Sequence, residues 1–311
     1  MESEPDPGES EPVHTEPGDT TGPGHNKPKY ENDEPKPKSV TDESTNVESW
    51  KQHKSLQKKE IKWKTGSVLN VQGLIPSKKK FKLNYLADMC KEQNCEFLAL
   101  TETHMDDDVL DAEVGIKDYD IYRQDRIGRK SGGVLIYIKK HYNTKCVFTQ
   151  SDSFCEQLVV EVKDIKLVIA LIYRPPNCPK NSFLKQIKNL DNLLDGYEDW
   201  NIMLLGDYNF PFLVNWNEVN PFINSIESEQ IQSVHLSNLL EKHLLQQIID
   251  IPTRGKNILD LVMINNEDLV TKSEVVVNKV ISDHNTINMR LGLTIDSDTD
   301  APINVSKWWK Y

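Results

Sequence analysis

The sequence has few cysteines and no long apolar run. These two features argue against a disulfide-rich protein, a cysteine-based zinc protein and a membrane-spanning protein. Its five cysteines form no C-x-x-C pair, so they indicate neither a disulfide framework nor a zinc site, and we expect ordinary thiols in a reducing compartment. No apolar stretch approaches the ~18 residues of a transmembrane helix. The first residues, MESEPDPGES, lack the basic and apolar regions of a signal peptide. We therefore expect a soluble, intracellular protein without a membrane partner.

The sequence also lacks an excess of basic residues. Its net charge is −11, of which −4 comes from residues 1–64 and −7 from the remainder. An acidic domain has no broad electrostatic attraction for nucleic acid, so phosphate contacts would have to come from a local basic patch. The lysine-rich segment 51–64, KQHKSLQKKEIKWK, is either a nuclear-localisation or nucleic-acid-contact segment or a solvated linker.

The distribution of apolar residues predicts a single folded domain. Large apolar side chains are almost absent before Trp50, and eight of the 16 prolines lie within residues 1–64. Such a segment cannot bury enough apolar surface to offset the entropy lost on ordering, so we predict that residues 1–64 are disordered. Residues 65–295 are long enough for one substantial core, and residues 296–311 are predicted to form a C-terminal tail.

Apolar periodicity predicts strands with a few helices between them. Runs typical of strands are SVLNV, EFLALTET, GGVLIYIKK, EQLVVEVKD, KLVIALIYR, NIMLLGDYN, NILDLVMIN and TINMRLGL. Helical spacing places Leu83, Leu86, Ala87 and Cys90 on one amphipathic face, and Phe183, Ile187, Leu190 and Leu194 on another; a polar helix is expected over about 229–243. This mixture of hairpin-like neighbours and strand-helix-strand units indicates a four-layered α/β sandwich, with two packed mixed β-sheets flanked by helices.

Polar residues lie where several of these strands end. Asn70, Glu102 and Asp207 each follow an apolar run, and the pair Asp283-His284 follows the β-rich VVVNKVI. Because strand ends meet along one edge of a sheet, we expect these side chains to gather there. Gathered carboxylates raise one another's pKa values unless a divalent cation relieves their repulsion. Oxygen ligands without paired cysteines or clustered histidines favour Mg²⁺ or Mn²⁺ over zinc.

Each of these residues also has a purely structural interpretation. Glu102 could cap a strand end, Asp207 and Asn209 could belong to a plain turn, and Asp283-His284 could be an exposed loop pair. A shared catalytic edge accounts for all of them together, whereas the structural interpretation requires the same coincidence at several independent strand ends.

The motifs LNVQGL, LALTETH, LIYRPP, LLGDYN, LDLVM and SDH, in this order, resemble the endonuclease/exonuclease/phosphatase superfamily. GGVLIYIK and the spacing within PTRGKNILDLVM look most like the apurinic-endonuclease-like endonuclease domain of non-LTR (LINE-type) retrotransposons. The resemblance covers residues 67–293. It implies a metal-dependent endonuclease that uses Mg²⁺ or Mn²⁺ to hydrolyse DNA phosphodiester bonds, and we expect a monomer whose partner is its DNA substrate.

The resemblance implies which residues lie on the metal side of the site. Glu102 matches the main metal-binding glutamate, and Asp283 matches a second carboxylate on that side. Asn70 matches the asparagine beside the metal and the nucleophile. Gln72 departs from the pattern, since relatives carry an acidic ligand or asparagine there, and this puts in doubt a contribution of its loop to the metal.

The resemblance likewise implies which residues handle the phosphate and the attacking water. Tyr173 matches the tyrosine that contacts the scissile phosphate, and Asp207 with Asn209 matches the pair that positions the water and the transition state. His284 matches the catalytic histidine on the phosphate, and Asp260 matches the aspartate that orients this histidine. The identity of the general base stays open at this point.

Because the domain is acidic, we predict a local basic rim on loops next to these motifs. Its candidate residues are Lys78, Lys79, Lys80, Arg123, Arg126, Arg129, Lys130, Arg174 and Arg254. Each would bind a phosphate of the substrate.

Two other functions stay open. One fold can serve several substrates, so the chain could be a phosphatase or a phospholipid-type phosphodiesterase of the same superfamily. It could also be a catalytically idle retrotransposon remnant that acts as a binding module, although the intact Glu102, Asp207, Asp283 and His284 argue against decay of the site. A reverse transcriptase follows the endonuclease domain in such elements, whereas this sequence ends in SKWWKY. We therefore expect a truncated or domesticated copy, or part of a longer reading frame.

Overall fold

Twelve strands form two sheets within the residues that the structure, a computed structural model, describes: 64–75, 81–128, 131–152, 154–210 and 227–292. The strands are β1 (Thr65–Asn70), β2 (Cys95–Thr101), β3 (Tyr119–Gln124), β4 (Val134–Lys139), β5 (Thr144–Ser151), β6 (Glu156–Val162), β7 (Leu167–Tyr173), β8 (Asn201–Asp207), β9 (Gln246–Gln247), β10 (Asp260–Ile264), β11 (Val270–Val276) and β12 (Thr286–Leu291). The predicted disordered segment 1–64, apart from Lys64, and the predicted tail 296–311 lie outside the described residues.

Both sheets have six strands and mixed pairing. The first sheet has the order β11-β12-β1-β2-β4-β3, and the second has the order β5-β6-β7-β8-β10-β9. One pair in each sheet is parallel, β1 with β2 and β7 with β8, while the other pairs are antiparallel. The prediction of two mixed sheets is therefore confirmed.

Helices cover the outer face of each sheet. The helices are α1 (Phe81–Glu92), the single-turn α2 (Asp111–Val114), α3 (Lys180–Leu194) and α4 (Glu227–Lys242); short 3₁₀ turns span Lys163–Ile165 and Glu267–Leu269. Side chains of α1 pack on the first sheet, and those of α3 and α4 pack on the second. A third apolar cluster, including Val68, Ile136, Leu171 and Leu205, fills the space between the sheets. This confirms the predicted four-layered sandwich.

The predicted amphipathic faces pack as their spacing indicates. In α3 the side chains of Phe183, Ile187, Leu190 and Leu194 are all buried. In α1 the same holds for Leu83, Leu86 and Cys90, while Ala87 is partly buried against that cluster. No helix in the described part of the chain is both long and apolar enough to cross a bilayer.

The expectations from periodicity miss three strands, of which β9 has only two residues, and extend a fourth too far. β3 and β5 were not anticipated, because they are edge strands whose side chains are only partly buried and whose sequences mix polar with apolar residues. The run VVVNKVI does not continue as a strand, since β11 ends at Val276. The following residues form the loop that leads to Asp283 and His284.

Candidate active site

The polar strand ends of both sheets meet at one edge of the sandwich. Asn70 ends β1, Tyr173 ends β7 and Asp207 ends β8. Tyr173 and Asp207 are register partners in the parallel pair, and Asp260 is opposite Asp207 in the antiparallel pair. The close approach of β7 and β8 requires Gly206, whose φ is +130° and where a Cβ would lie 1.9 Å from the carbonyl oxygen of Ile172.

Asn70 connects the two sheets across this edge. Its buried side-chain amide donates from Nδ2 to Glu102 Oε1 at 2.9 Å and to Asp207 Oδ2 at 2.8 Å. Its Oδ1 accepts a hydrogen bond from the backbone N–H of Gln72 at 3.1 Å. Because both amide hydrogens and the oxygen are used, Asn70 fixes two carboxylates that are far apart in sequence.

Glu102 is held ionised by three donors. It follows β2 with a φ of +54°, and Oε1 accepts from Asn70 and from the Tyr173 hydroxyl at 2.8 Å. Its Oε2 lies 3.2 Å from His104 Nε2. Burial alone would raise the pKa of Glu102, but the hydrogen bonds from His104, Asn70 and Tyr173 lower it to about 2. An ionised carboxylate that is one-fifth exposed fits a hard divalent cation.

The low pKa of Glu102 predicts a pH-dependent stability. A carboxyl group with a folded pKa near 2 and an ordinary value of 4.5 stabilises the fold above pH 4.5, and this contribution is lost as the pH falls towards 2. We expect the difference in unfolding free energy between the wild type and Glu102→Gln to be constant above about pH 5 and to shrink below it. Urea unfolding with EDTA from pH 7 to pH 3 tests this, and parallel curves would contradict it.

A buried histidine and two buried aspartates form the deepest part of the site. His284 Nδ1 lies 2.7 Å from Asp260 Oδ2, which fixes the ring and makes Nδ1 the donor. The backbone N–H groups of Leu259 and Asp260 both donate to Thr253 Oγ1 at 3.0 Å, so Thr253 holds the start of β10. His284 Nε2 has no hydrogen-bond partner within the described residues and lies 4.0 Å from Asp207 Oδ2.

The charges of this group shift one another's pKa values. Burial raises the pKa of Asp207 well above its ordinary value, and the charge of Asp260 adds to this, while His284 and Asn70 oppose it. Burial would lower the pKa of His284, but the hydrogen bond to Asp260 and the charges of Asp260 and Asp207 raise it overall. Oxygen and nitrogen atoms of Asp207, Asp260 and His284 lie within 4.8 Å of one another, so these residues could also hold a metal ion.

A second group of this kind lies at the C-terminal ends of α3 and α4. It consists of Asp191, Asp195 and His243. Lys242 Nζ lies 2.8 Å from Asp191 and 2.7 Å from Asp195, so a resident ammonium already balances these exposed carboxylates.

Asp283 and Asn209 are held by neighbouring loops. Asp283 is half exposed, and its Oδ2 pairs with Arg254 Nη2 at 2.7 Å, while its backbone N–H donates to Gln72 Oε1 at 3.3 Å. Gln72 thus connects two loops of the site. Asn209 has a φ of +48°; its backbone N–H donates to Asp207 Oδ1 and its side-chain amide to the Arg174 carbonyl, both at 3.0 Å.

The predicted basic rim needs correction at two arginines. Arg174 is buried and donates to Gln232 Oε1 and to the carbonyl oxygens of Tyr208 and Asn209, so its guanidinium lies inside the protein and braces the chain after β8. Arg126 is also buried. In the sequence, Arg126 and Arg174 cannot be distinguished from exposed loop arginines. Their internal partners Glu156 and Tyr208 lie 30 and 34 residues away along the chain.

The other rim candidates divide into three groups. Arg123 is mostly buried and pairs with Asp111 and Asp125. Among the rim residues that the structure describes, Arg254 has the most exposed side chain, 41%, although it pairs with Asp283. The others, Lys78, Lys79, Lys80, Arg129 and Lys130, lie outside the described residues.

The sequence interpretation missed two residues of the site. His104 contacts Glu102, and its position two residues later in TETH was the available signal. Thr253 is a buried threonine in PTRG whose role appears only when its hydrogen bonds to β10 are known.

Comparisons with known proteins give one family match and several solved structures with a similar fold. The model of the Endonuclease/Exonuclease/phosphatase family matches residues 68–284. A search of curated proteins found no match. Among solved structures, the chain is similar to the endonuclease domain of TRAS1, a telomere-specific non-LTR retrotransposon, at 14% identity over 74% of this chain and 99% of that one, with a TM-score of 0.50.

Two further solved structures share the fold. The AP endonuclease LMAP from Leishmania major has 14% identity over 72% of this chain and 86% of its own, with a TM-score of 0.54. The 3' phosphatase NExo from Neisseria, bound to a product DNA hairpin, has 14% identity over 73% of this chain and 98% of its own, with a TM-score of 0.53. At such identities these likenesses establish the two-sheet fold alone.

Proposed function

Because the chain belongs to the endonuclease/exonuclease/phosphatase family, whose model matches residues 68–284, we propose that it is a divalent-metal-dependent endonuclease that nicks DNA. The observation that carries this proposal is the convergence of an ionised Glu102, the Asn70 bridge and the Asp260–His284 pair on one edge. A phosphodiester is a substrate that needs a cation, an oriented water and a donor to the phosphate at the same place.

Glu102 is the residue we expect to hold Mg²⁺ or Mn²⁺, with Asp283 as a second carboxylate. The ion would polarise the phosphate and stabilise the leaving oxygen. Tyr173 and Asn70 keep the Glu102 carboxylate in one orientation, since each donates to Oε1. A fixed carboxylate lets the site bind the substrate without reorganisation.

His284 and Asp207 supply the proton chemistry. Since Asp260 accepts from Nδ1 and raises the pKa of the ring, the imidazolium form presents a second N–H at Nε2 for a phosphate oxygen. The raised pKa of Asp207 makes its carboxylate a stronger base, which suits a group that orients the attacking water and accepts its proton. Asn209 holds Asp207 through its backbone N–H.

A plasmid-nicking assay tests this function directly. We expect purified protein to convert supercoiled plasmid into the open-circular form with Mg²⁺ or Mn²⁺, and we expect EDTA to abolish the reaction. Glu102→Gln serves as the matched negative control, because it keeps the shape of the side chain and removes its charge. Metal-dependent nicking that persists in this variant would point to a contaminating nuclease.

The burial of two predicted rim arginines favours a second candidate function. This candidate is a phosphatase or phosphodiesterase that acts on a small substrate. Two of the arginines expected at the rim are internal, and residues 65–311 carry a net charge of −7. A small substrate needs fewer phosphate contacts than a DNA duplex. Hydrolysis of a small phosphate monoester or diester, without nicking of plasmid, would support this alternative.

The salt dependence of DNA binding tests whether Arg129 and Lys130 belong to the proposed DNA interface. If Arg129 and Lys130 contact DNA phosphates, Arg129→Ala/Lys130→Ala lowers the slope of log affinity against log salt by up to about 0.9 for each residue. We expect binding to weaken similarly across DNA sequences. The exposed pair Lys140→Ala/Lys145→Ala is the matched control for the loss of two charges. Identical slopes in the three proteins would remove Arg129 and Lys130 from the DNA interface.

A further inference from the structure

A buried ion pair joins the two sheets directly behind the candidate active site. Arg126 follows β3 of the first sheet, and Glu156 begins β6 of the second. Arg126 donates to both Glu156 oxygens, with Nη2 2.9 Å from Oε2, and Nη2 also donates to the Phe154 carbonyl at 2.6 Å. The two side chains are 5% and 0% exposed, so neither charge is available to solvent or to a substrate.

The first connection from this pair to the site runs through Tyr173. Glu156 and Tyr173 are register partners in the antiparallel pair of β6 and β7. The guanidinium carbon of Arg126 lies 5.3 Å from the centre of the Tyr173 ring, within the range of a cation–π contact. Because the Tyr173 hydroxyl donates to Glu102 Oε1 at 2.8 Å, the position of this ring sets the position of one donor to Glu102.

The second connection runs through Gly132 and Gly133. The backbone N–H of Gly133 donates to Glu156 Oε2 at 3.2 Å. The carbonyl oxygens of Gly132 and Gly133 accept from the backbone N–H groups of His104 and Thr103, at 2.8 and 3.3 Å. Thr103 and His104 directly follow Glu102. The ion pair therefore also anchors the turn that carries Glu102.

The two glycines are required by this arrangement. Both have a positive φ, +90° at Gly132 and +87° at Gly133. A Cβ on Gly132 would lie 2.4 Å from the Arg126 guanidinium carbon, and one on Gly133 would lie 2.4 Å from Thr103 Oγ1. The GG of GGVLIYIK is thus the place where the arginine, the turn and β4 come into close contact.

A buried ion pair is a weak source of stability, because the desolvation of two charges offsets much of their attraction. Its orienting effect is strong, since a bidentate arginine–carboxylate pair allows few geometries. We propose that Arg126 and Glu156 are a positioning pair for Glu102, which they orient through Tyr173 and through the Gly132–Gly133 carbonyl groups. This inference rests on the proposed function for its catalytic consequence, but the orientation itself is independent of any substrate.

The test replaces the pair by apolar residues of similar length, Arg126→Met/Glu156→Met. We expect the double variant to fold with a melting temperature somewhat below that of the wild type, because the apolar pair removes two buried charges but leaves the Gly133 N–H and the Phe154 carbonyl without these partners. We expect kcat for nicking to fall by on the order of 10²-fold with little change in KM, as for a small misplacement of a reacting group. Glu156→Asp, which keeps the carboxylate partner of Arg126 and Gly133 on a shorter side chain, should retain more of the rate than the double variant.

The matched control is the pair of Glu96 and Lys139, at the opposite end of β2 from Glu102. Its Nζ–Oε1 distance is 3.0 Å and Glu96 is buried. We expect Glu96→Met/Lys139→Met to leave kcat unchanged. An equal fall of kcat in both double variants would overturn the positioning role.

Amide hydrogen exchange provides a readout that needs neither substrate nor metal. In Arg126→Met/Glu156→Met we expect the amides of Thr103 and His104 to lose protection, while the amides of central β7 keep theirs. Loss of this protection in a protein that cleaves no phosphodiester would support the positioning pair and contradict the proposed function. Unchanged protection and unchanged kcat in the folded double variant would overturn the inference.

Discussion

We expect Glu102→Gln to lower the proposed nicking rate by on the order of 10³-fold, because a side chain without charge would no longer hold the cation and several kcal/mol of transition-state stabilisation would be lost. The amide of glutamine keeps an oxygen that can accept from Asn70 and Tyr173, the present partners of Oε1. The fold is therefore retained while the negative charge that attracts the cation is lost. Calorimetric titration with Mn²⁺ should show a matching loss of affinity.

The control for Glu102→Gln is Glu96→Gln, a buried carboxylate near the start of the same strand. We expect this variant to keep wild-type metal affinity and nicking rate, because Glu96 pairs with Lys139 away from the active edge. Unchanged Mn²⁺ affinity in Glu102→Gln would remove Glu102 from the metal site. Asp207 and Asp260, which with His284 could also hold an ion, would then be the alternative ligands.

We also expect His284→Ala to lower the proposed nicking rate strongly, by about 10²- to 10⁴-fold, the range for loss of a positioned proton donor. Asp260→Ala should have a comparable effect, since Asp260 fixes the ring through the 2.7 Å contact with Nδ1 and raises its pKa. Once the imidazole is absent, Asp260 has nothing left to orient. We therefore expect His284→Ala/Asp260→Ala to be scarcely slower than His284→Ala alone.

The prediction for the Asp260–His284 pair is tested by a double-mutant cycle on single-turnover nicking rates. Melting temperatures of all three variants are the necessary control, because Asp260 lies at the start of a central strand and its N–H is held by Thr253. Rate losses that multiply in folded variants would mean that Asp260 and His284 act separately. Asp260 would then be assigned to the metal or to Asp207, its register partner.

Much of the fold could be predicted because its determinants are local. Continuous apolar runs indicate strands that are covered on both faces, and helical spacing indicates the buried faces of α1 and α3. The edge strands β3 and β5 could not be recognised in this way, because partial burial leaves no clear alternation of polar and apolar residues.

The candidate site was predictable to the extent that its residues stand at strand ends in a recognisable order. Asn70, Glu102 and Asp207 follow apolar runs, and parallel β7 and β8 bring Tyr173 beside Asp207. What each side chain contacts was not predictable, since Asn70 and Asp207 are separated by 137 residues and meet only where the two sheets pack together. The contact of His104 with Glu102 and the pairing of Asp283 with Arg254 depend on the same packing.

The sequence alone determined the family, the two-sheet sandwich and most of the polar residues at the candidate active edge, because motifs and apolar periodicity can be read from short stretches of neighbouring residues. Only the tertiary structure decided that Arg126 and Arg174 are buried inside the protein. An arginine in a loop has the same local signature whether it faces solvent or a buried carboxylate. Arg126 finds Glu156, and Arg174 finds Gln232 with the carbonyl groups after β8, through contacts between segments that are distant in sequence. Two arginines that we expected to bind the substrate therefore hold segments of the protein together, because packing between distant segments buries them.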